Sequence, residues 1–475
     1  MASKRPTPQP ASSRPEQPDR ETSAARWHRT VRVSNDHGGF AYRAGELMLE
    51  QSALQALLQL TEGKHVEITE LDGDLLLAAG LRDELRIGAE MRAKGHRVQP
   101  NHLAFAAGEV TAHPATWAHP ATWAHPATWA HPATWAHPAT WAHPAVWAHG
   151  GDGTGCGCGC CGGATPKGCG PTPPSTEPSP PTHSTVDVAR REPALLRRAT
   201  TTPDQTITVV VLDTGLAPTA LGGGIPGVHA RDAEPWGPTK PATVTDNEDD
   251  PDEDHDDWLD PVAGHGTFIA AIIARLAPHA SVSVGRVLEN TGEGNDADLA
   301  WRINRLVDEG APDILALSCS CYTENDESPL GLTQAVARIQ AAGTLVVAAA
   351  GNESTCRVSW PSALPGVIAV GALGPDGPAE FTNYGDWVNA CAPGVDIVSR
   401  FFDGVDEQND HDPSTADFRG WAKWSGTSFS APIVAAAIAR EASLYGITVA
   451  AAAERVVFDP RLFRIPGLGT VVNIH

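Results

Sequence analysis

From Thr206 onward, short apolar runs alternate along the chain with segments that have the pattern of helices. Runs that are apolar throughout are typical of strands buried on both faces, and intervening helices join such strands in parallel. In sheets of this kind the chemistry lies at the carboxyl ends of the strands. We predict strands at 207–212, 281–287, 314–318, 344–349 and 367–370, and helices at 265–276, 297–308 and 331–342.

The length and charge of the chain limit its domains and its partners. Its 475 residues suffice for two or three domains, and its 41% hydrophobic content allows a sizeable core. The formal charge of -23 disfavours nucleic acid, whose phosphates need a basic surface, and favours cations or basic peptides. No apolar run approaches the ~18 residues of a membrane span, and residues 1–32 lack the apolar core of a signal peptide. We expect a cytoplasmic protein that binds neither nucleic acid nor membrane, with export by another route left open.

One short segment near the end of the chain has the pattern of a nucleophile site. Residues 426–432 read GTSFSAP and continue into a run of small apolar residues, which predicts a tight turn with Ser428 in the first turn of a buried helix. The unpaired amides and the positive end of the helix dipole would stabilise an anion formed beside this serine. A serine also needs a base, and a group that orients the base, before it becomes reactive.

Two other segments supply these groups. Asp213 follows the first predicted strand in an Asp-Thr-Gly turn, and His265 lies at the start of a predicted helix in a Gly-His-Gly-Thr segment. Each segment alone is weak evidence, because such residues are more often turns or caps. Asp, then His, then Ser, each at a strand or helix end of one α/β domain, is the chain order of a subtilisin-type triad.

On these segments, residues from about 205 to 445 resemble the subtilisin-like serine proteases, the subtilases. The resemblance implies a three-layer α/β fold with a mainly parallel sheet. It also implies that Ser428 attacks the peptide carbonyl, His265 transfers the proton and Asp213 orients the imidazole. The segment 346–353 is similar to the oxyanion-hole strand of the family, so that the Asn352 side chain and the Ser428 amide would bind the tetrahedral oxyanion. The alternative is that Asn352 is an ordinary turn residue.

The same resemblance implies two segments that pair with the substrate backbone, and a pocket between them. The implied substrate-binding residues are Gly292, Gly294, Ser318, Ser320, Ala349, Ala350 and Gly351, with Ser359 as a further candidate. Ser320 stands where the family usually has glycine, and its side chain would narrow the pocket. Phe268 replaces a usual histidine and Ala271 a usual glycine, and none of these departures removes a member of the triad.

The remaining segments complete the predicted domain organisation. We predict a disordered tail at 1–38, a small α/β domain at 39–107, a low-complexity linker at 108–204, a catalytic domain at 205–457 and a C-terminal tail at 458–475. The small domain has a β-α-β pattern and resembles the inhibitory propeptides that precede subtilase domains. This resemblance implies a self-processing zymogen, with cleavage in the linker after Arg191 or Arg198 as one hypothesis.

The linker contains two features with open interpretations. The hexapeptide His-Pro-Ala-Thr-Trp-Ala begins at His113 and recurs every six residues up to a variant at His143. Its prolines favour polyproline II, which separates successive histidines by roughly 19 Å and favours a semi-rigid spacer over a metal site. The cysteine- and glycine-rich segment 155–163 either binds a soft metal ion or is a flexible connection. The nine cysteines of the chain form no evident disulfide framework.

An acidic stretch precedes His265, with ten acidic side chains among the fifteen residues 246–260. A calcium loop is one interpretation, because acids fall at positions 1, 3, 5 and 9 of such a loop, although glycine is missing at the turn and an acid at position 12. Subtilases often use calcium. The alternatives are a solvated loop or a negative field that selects basic peptides. The candidate calcium ligands are Asp252, Asp254, Asp256 and Asp260.

These observations predict a serine endopeptidase that hydrolyses protein or peptide substrates through an acyl-enzyme intermediate. We expect a monomer that needs no cofactor for its chemistry, with calcium only as a structural ion. One alternative is a scaffold that binds a metal or a partner and whose protease domain serves only its own maturation. A second is a peptide precursor whose repeat is the product.

Overall fold

In the computed structural model, the described residues are 31–34, 39–61, 65–106, 182–183, 206–217, 224–232, 234–240, 247–253, 259–403 and 419–472. The helices are α1 (Leu54–Leu60), α2 (Glu84–Ala93), α3 (His265–Leu276), α4 (Asp296–Gly310), α5 (Leu330–Ala341), α6 (Thr427–Tyr445) and α7 (Val449–Ala453). The strands are β1 (Val31–Ser34), β2 (Phe40–Glu50), β3 (Glu67–Glu70), β4 (Leu75–Ala79), β5 (Val98–Ala106), β6 (Thr182–His183), β7 (Thr208–Asp213), β8 (Val228–Ala230), β9 (Ser281–Arg286), β10 (Glu293–Asn295), β11 (Ile314–Leu317), β12 (Cys319–Ser320), β13 (Leu345–Ala349), β14 (Ile368–Gly374), β15 (Gly377–Pro378), β16 (Ala390–Pro393), β17 (Ile397–Asp403), β18 (Arg419–Trp424), β19 (Arg464–Ile465) and β20 (Gly469–Val471).

The large sheet has the strand order β19-β20-β16-β14-β13-β11-β7-β9-β8, with β15 beside β14. The pairs from β20 to β8 are parallel, whereas β15 and β19 pair antiparallel with their neighbours. Helices α3 and α6 pack against each other and against this sheet, and α4 and α5 form a second pair. The predicted mainly parallel α/β sheet is confirmed, and its central strands, buried along nearly all of their length, are the apolar runs of the sequence.

The catalytic fold extends further toward the C-terminus than we predicted. Strands β19 and β20 lie in the segment predicted as a tail, and β20 extends the large sheet by pairing with β16. The predicted end of the domain at residue 457 is therefore wrong, because residues up to Val472 belong to its sheet. In the predicted linker, β6 pairs with β18. The hexapeptide repeat, the cysteine-rich segment, Arg191 and Arg198 lie outside the described residues.

The N-terminal unit is an antiparallel sheet with two helices. β2 lies between β5 and β4, and β3 continues the sheet beyond β4. Strand β1 pairs with β2 although it lies in the predicted disordered tail, so that prediction is wrong for residues 31–34. The β-α-β pattern missed β4, and the first helix begins at Leu54 after a 3-10 turn. The core of the unit contains Leu47, Leu57 and Met91.

Strand β5 joins the N-terminal unit to the catalytic fold. Its last residues pair antiparallel with β10 on one side and with β12 on the other. A shared apolar cluster also crosses the boundary and consists of Met48, Leu75, Leu77, Ala297 and Leu330. Within the described ranges no single helix is long and apolar enough to span a membrane. Helix α6 and the segment Val449–Phe458 reach that threshold only together, across a bend of 116°, by length and composition alone.

Candidate active site

The end of β7 and the start of α3 bring a carboxylate and an imidazole into contact. Oδ1 of Asp213 lies 2.7 Å from Nδ1 of His265, and both side chains are fully buried. The same oxygen accepts the Thr214 amide at 2.9 Å. A carboxylate on Nδ1 favours the tautomer that carries its proton there, which leaves the lone pair of Nε2 available. Nε2 is buried and has no hydrogen-bond partner among the described residues, so it is placed to act as a base.

Two glycines allow this close approach. Gly264 has a φ of 83°, and a Cβ there would clash with the ring of Phe401. A Cβ on Gly266 would clash with the carbonyl oxygen of Gly215 in the loop that follows Asp213. The glycines beside His265 therefore have a steric reason: a side chain at position 266 would push the helix start away from the β7 loop, and one at position 264 would collide with β17.

Ser428 lies in the first turn of α6, as the sequence predicts. Its hydroxyl donates to the Ser318 carbonyl at 3.3 Å, and the Ser318 hydroxyl donates back to the Ser428 carbonyl at 3.1 Å. The ring of the next residue, Phe429, lies edge-on to His265 at 5.5 Å between centroids. The structure thus brings the three predicted triad residues to one buried site, and it joins only Asp213 and His265 by a hydrogen bond. Catalytic hydrogen bonds of this type are often made only when substrate is bound.

Asn352 has one end of its side-chain amide fixed and the other end unpaired. Its Oδ1 accepts from the Thr427 amide at 2.9 Å and from the Thr427 hydroxyl at 3.0 Å. The hydroxyl in turn accepts from the Gly351 amide at 3.1 Å. Since Oδ1 is identified by the backbone donor, the opposite end must be Nδ2, which is buried without a partner in the part of the chain that the structure describes. A preorganised donor is therefore present beside the start of α6.

The two predicted substrate-binding segments lie on either side of β5. Gly294 pairs with Ala104, and Ser320 pairs with Phe105 on the opposite edge. The amide of Ala106 also donates to the Gly292 carbonyl at 2.9 Å. A Cβ on Gly292 would lie 2.7 Å from the Val262 side chain, which explains glycine there. The predicted pocket residues Ala349, Ala350 and Gly351 are buried at the end of β13.

The predicted calcium ligands are only partly described. Asp254 and Asp256 lie outside the described residues. The Asp260 carboxylate accepts the Glu253 amide at 2.7 Å, and Glu253 in turn forms an ion pair with Arg286 at 2.6 Å. Across the described ranges, no group of three or more His, Cys, Asp or Glu side chains is arranged to hold a metal ion. The calcium site therefore stays a prediction.

The sequence profile of the subtilase family matches residues 204–456, more than half of the chain. This chain belongs to the subtilase family. The match begins one residue before the predicted catalytic domain and ends one residue before its predicted end. Strand β20 lies beyond the matched subtilase region and still pairs with its sheet.

Three subtilase relatives show how far the similarity extends. A thermophilic serine proteinase of Bacillus sp. strain AK1 is 37% identical over 191 residues, which are 38% of this chain and 42% of the relative. Thermitase of Thermoactinomyces vulgaris is 34% identical over 183 residues, 36% of this chain and 58% of its own. The major intracellular serine protease of Bacillus subtilis is 31% identical over 207 residues, which are 40% of this chain and 58% of the relative. The chain thus spans less than two thirds of each of these relatives.

Proposed function

We propose that the protein is a serine endopeptidase whose nucleophile is Ser428. His265 Nε2 takes the hydroxyl proton as the serine oxygen attacks the peptide carbonyl, and Asp213 stabilises the imidazolium that results. The imidazolium then returns the proton to the leaving amine, and water hydrolyses the acyl-enzyme by the same route in reverse. The observation that carries this proposal is the buried contact of 2.7 Å between Asp213 and His265, combined with an unpaired Nε2.

The tetrahedral intermediate needs donors for its oxyanion. We assign this role to Nδ2 of Asn352 and to the backbone amide of Ser428 at the start of α6. The contacts of Thr427 with Asn352 support the assignment, because they hold the side-chain amide before any substrate arrives. A donor held in this way needs no reorganisation when the negative charge forms.

We further propose that substrates bind as an extended strand between β10 and β12. The support is β5, whose residues 103–106 already form antiparallel pairs with both edges. Backbone pairing of this kind accepts many sequences, because the hydrogen bonds come from the main chain and only the side-chain pockets discriminate. Protein or peptide segments in an unfolded, extended form are therefore the expected substrates.

The N-terminal unit then acts as an inhibitory prosegment. Gln99 of β5 accepts the Leu330 amide at 2.9 Å, and Asn101 accepts the Ala297 amide at 3.1 Å, so that β5 caps the starts of both α5 and α4. An ion pair of 2.8 Å between Arg92 and Glu324 adds a charged contact. With β5 in the cleft, the triad side chains have no exposed surface. This arrangement supports a zymogen that must remove this strand before it accepts other substrates.

Mass spectrometry of the full chain tests the proposal. The wild-type protein is expected to convert to shorter species that lack the N-terminal unit and to hydrolyse added casein. The Ser428→Ala protein is expected to keep its full mass and to leave casein intact. Equal cleavage by both proteins would reject Ser428 as the nucleophile. The alternative of a metal- or partner-binding scaffold depends on the repeat and the cysteine-rich segment, which lie outside the described residues.

A further inference from the structure

Asp249 lies behind the proposed catalytic pair and touches the loops of both members. It is fully buried. Its Oδ2 accepts the Thr214 hydroxyl at 2.7 Å and the Gly264 amide at 2.9 Å. Thr214 directly follows Asp213, and Gly264 directly precedes His265. One carboxylate oxygen therefore bridges the two loops that carry the pair.

The bridge continues to the other side of the histidine. The Thr214 hydroxyl, which donates to Asp249, also accepts the Gly266 amide at 3.0 Å. Gly264 and Gly266 flank His265, so the backbone on both sides of the imidazole is held through the same carboxylate and hydroxyl. The contact of 2.7 Å between Asp213 and His265 spans the same two loops.

The segment that carries Asp249 is itself fixed to the β7 loop. The amide of Asp249 donates to the Leu216 carbonyl at 3.1 Å, and the Leu216 amide donates to the Asn247 carbonyl at 2.9 Å. These two backbone hydrogen bonds hold Asp249 against the loop after β7, in addition to the hydrogen bonds of its side chain. A side chain anchored in this way helps to fix the positions of its two donors, Thr214 and Gly264.

Placing a carboxyl group here has a cost. Burial raises its pKa to about 7, an effect that Arg286 opposes and Asp213 adds to. Its Oδ1 has no hydrogen-bond partner within the described ranges. A buried polar group with an unpaired oxygen lowers the stability of the fold. The contacts it does make are both to the loops of the proposed triad.

We propose that Asp249 is a positioning residue that holds the loops of Asp213 and His265 at the separation required for proton transfer. The inference rests on the proposed catalytic roles of these two residues. The Asp249 carboxylate bonds to Thr214 and Gly264 beside the pair, so its effect is exerted through the geometry of the imidazole. Small displacements of a catalytic group are costly: about 1 Å reduces the rate by about 10²-fold.

Three variants of the processed enzyme test this role with a fluorogenic peptide. Asp249→Ala is expected to lower kcat by at least about tenfold, with KM within about twofold, because substrate contacts are unchanged. Asp249→Asn is expected to recover most of the rate, since its amide oxygen can accept from both donors. Asp250→Asn is the matched control, an exposed neighbouring aspartate whose change is expected to leave kcat and KM as in the wild type.

A spectroscopic readout separates positioning from general stability and does not require activity. In the full-length Ser428→Ala protein, the proton between His265 and Asp213 is expected to give a low-field NMR resonance. Asp249→Ala is expected to shift or abolish this resonance, whereas Asp250→Asn leaves it in place. If Asp249→Ala fails to fold, Thr214→Val, which removes the hydroxyl link alone, must change kcat and the resonance in the same direction.

Two results would overturn the inference. One is a folded Asp249→Ala enzyme with kcat within twofold of the wild type. The other is an unchanged resonance with only a lower melting temperature, which is the signature of a purely structural residue. An inactive wild-type enzyme that still shows the resonance and its dependence on Asp249 would instead count against the proposed function.

Discussion

Replacement of Asn352 by leucine removes the proposed oxyanion donor while keeping the branching and the number of heavy atoms of the side chain. The lost group is Nδ2, which is buried and unpaired among the described residues and therefore contributes little to the resting structure. One oxyanion donor typically supplies about 3–4 kcal/mol of transition-state stabilisation, which corresponds to a fall of about 10²–10³ in kcat. KM is expected to change little, because the donor acts on a charge that exists only during the reaction.

The same substitution also removes the oxygen that accepts from Thr427. Removing this acceptor from the buried Thr427 amide costs about 1–3 kcal/mol of stability. Thr427→Val separates the two effects, because it removes the hydroxyl contacts to Asn352 and Gly351 and keeps the donor Nδ2. We expect this control to be less stable than the wild type and to retain kcat within about tenfold.

The assay is steady-state hydrolysis of a fluorogenic peptide by processed enzyme, well below its unfolding temperature. Stability is measured separately by urea unfolding of each variant in a Ser428→Ala background. The role of Asn352 as an oxyanion donor is refuted if Asn352→Leu keeps kcat within tenfold of the wild type. It is equally refuted if Thr427→Val loses as much activity as Asn352→Leu, since support of the loop, not the donor, would then explain both.

Three further changes have expected outcomes. Gln99→Ala leaves the buried Leu330 amide unpaired, which destabilises the contact of β5 with α5 by about 1–3 kcal/mol. The full chain is therefore expected to gain activity sooner, and an unchanged lag before activity would argue against β5 as the inhibitory strand. Gly264→Ala forces a side chain into a backbone with a φ of 83° and against Phe401, so its melting temperature is expected to be lower than that of the wild type. An equal melting temperature would contradict the backbone conformation beside His265. Burial raises the pKa of Asp296 to about 6 from 3.8, so the folded state holds this proton more tightly than the unfolded chain. The raised pKa contributes about 3 kcal/mol to the free energy of unfolding below pH 4, and this contribution is lost as pH rises through about 6. Asp296→Asn is expected to flatten this dependence of the unfolding free energy on pH, measured by urea unfolding.

The parallel sheet and the places of Asp213, His265 and Ser428 in the fold were predictable for physical reasons. The central strands are buried on both faces, so their sequences are continuous apolar runs that local reading detects. Asp213 and His265 are framed by glycines that the close loop contact requires, and this requirement leaves a local signature. The placement of Ser428 in the first turn of α6 follows from the small residues around it.

The short edge strands were not predictable in the same way. β1, β19 and β20 contain two to four residues, and their pairing depends on neighbours far along the chain. A segment of that length carries too little periodicity to distinguish a strand from a tail. The tertiary environment, not local propensity, makes these segments strands.

The cleft and Asp249 show a second limit. Nothing in residues 98–106 indicates that they pair with β10 and β12, which follow some 190 or more residues later. Asp249 is one of ten acids in a stretch of fifteen, and composition alone gives no reason to separate it from its exposed neighbours. Only the hydrogen bonds to Thr214 and Gly264 single it out.

Fluorophosphonate labelling of the processed protein is a direct test of Ser428 as the activated nucleophile, because the reagent reacts with a serine only when a base activates it. We expect about one label per molecule in the wild type, located on Ser428 by peptide mapping. We expect no label in Ser428→Ala and at most trace label in His265→Ala. Labelling of the wild type at another residue would contradict Ser428 as the nucleophile, and undiminished labelling of His265→Ala would contradict His265 as its base.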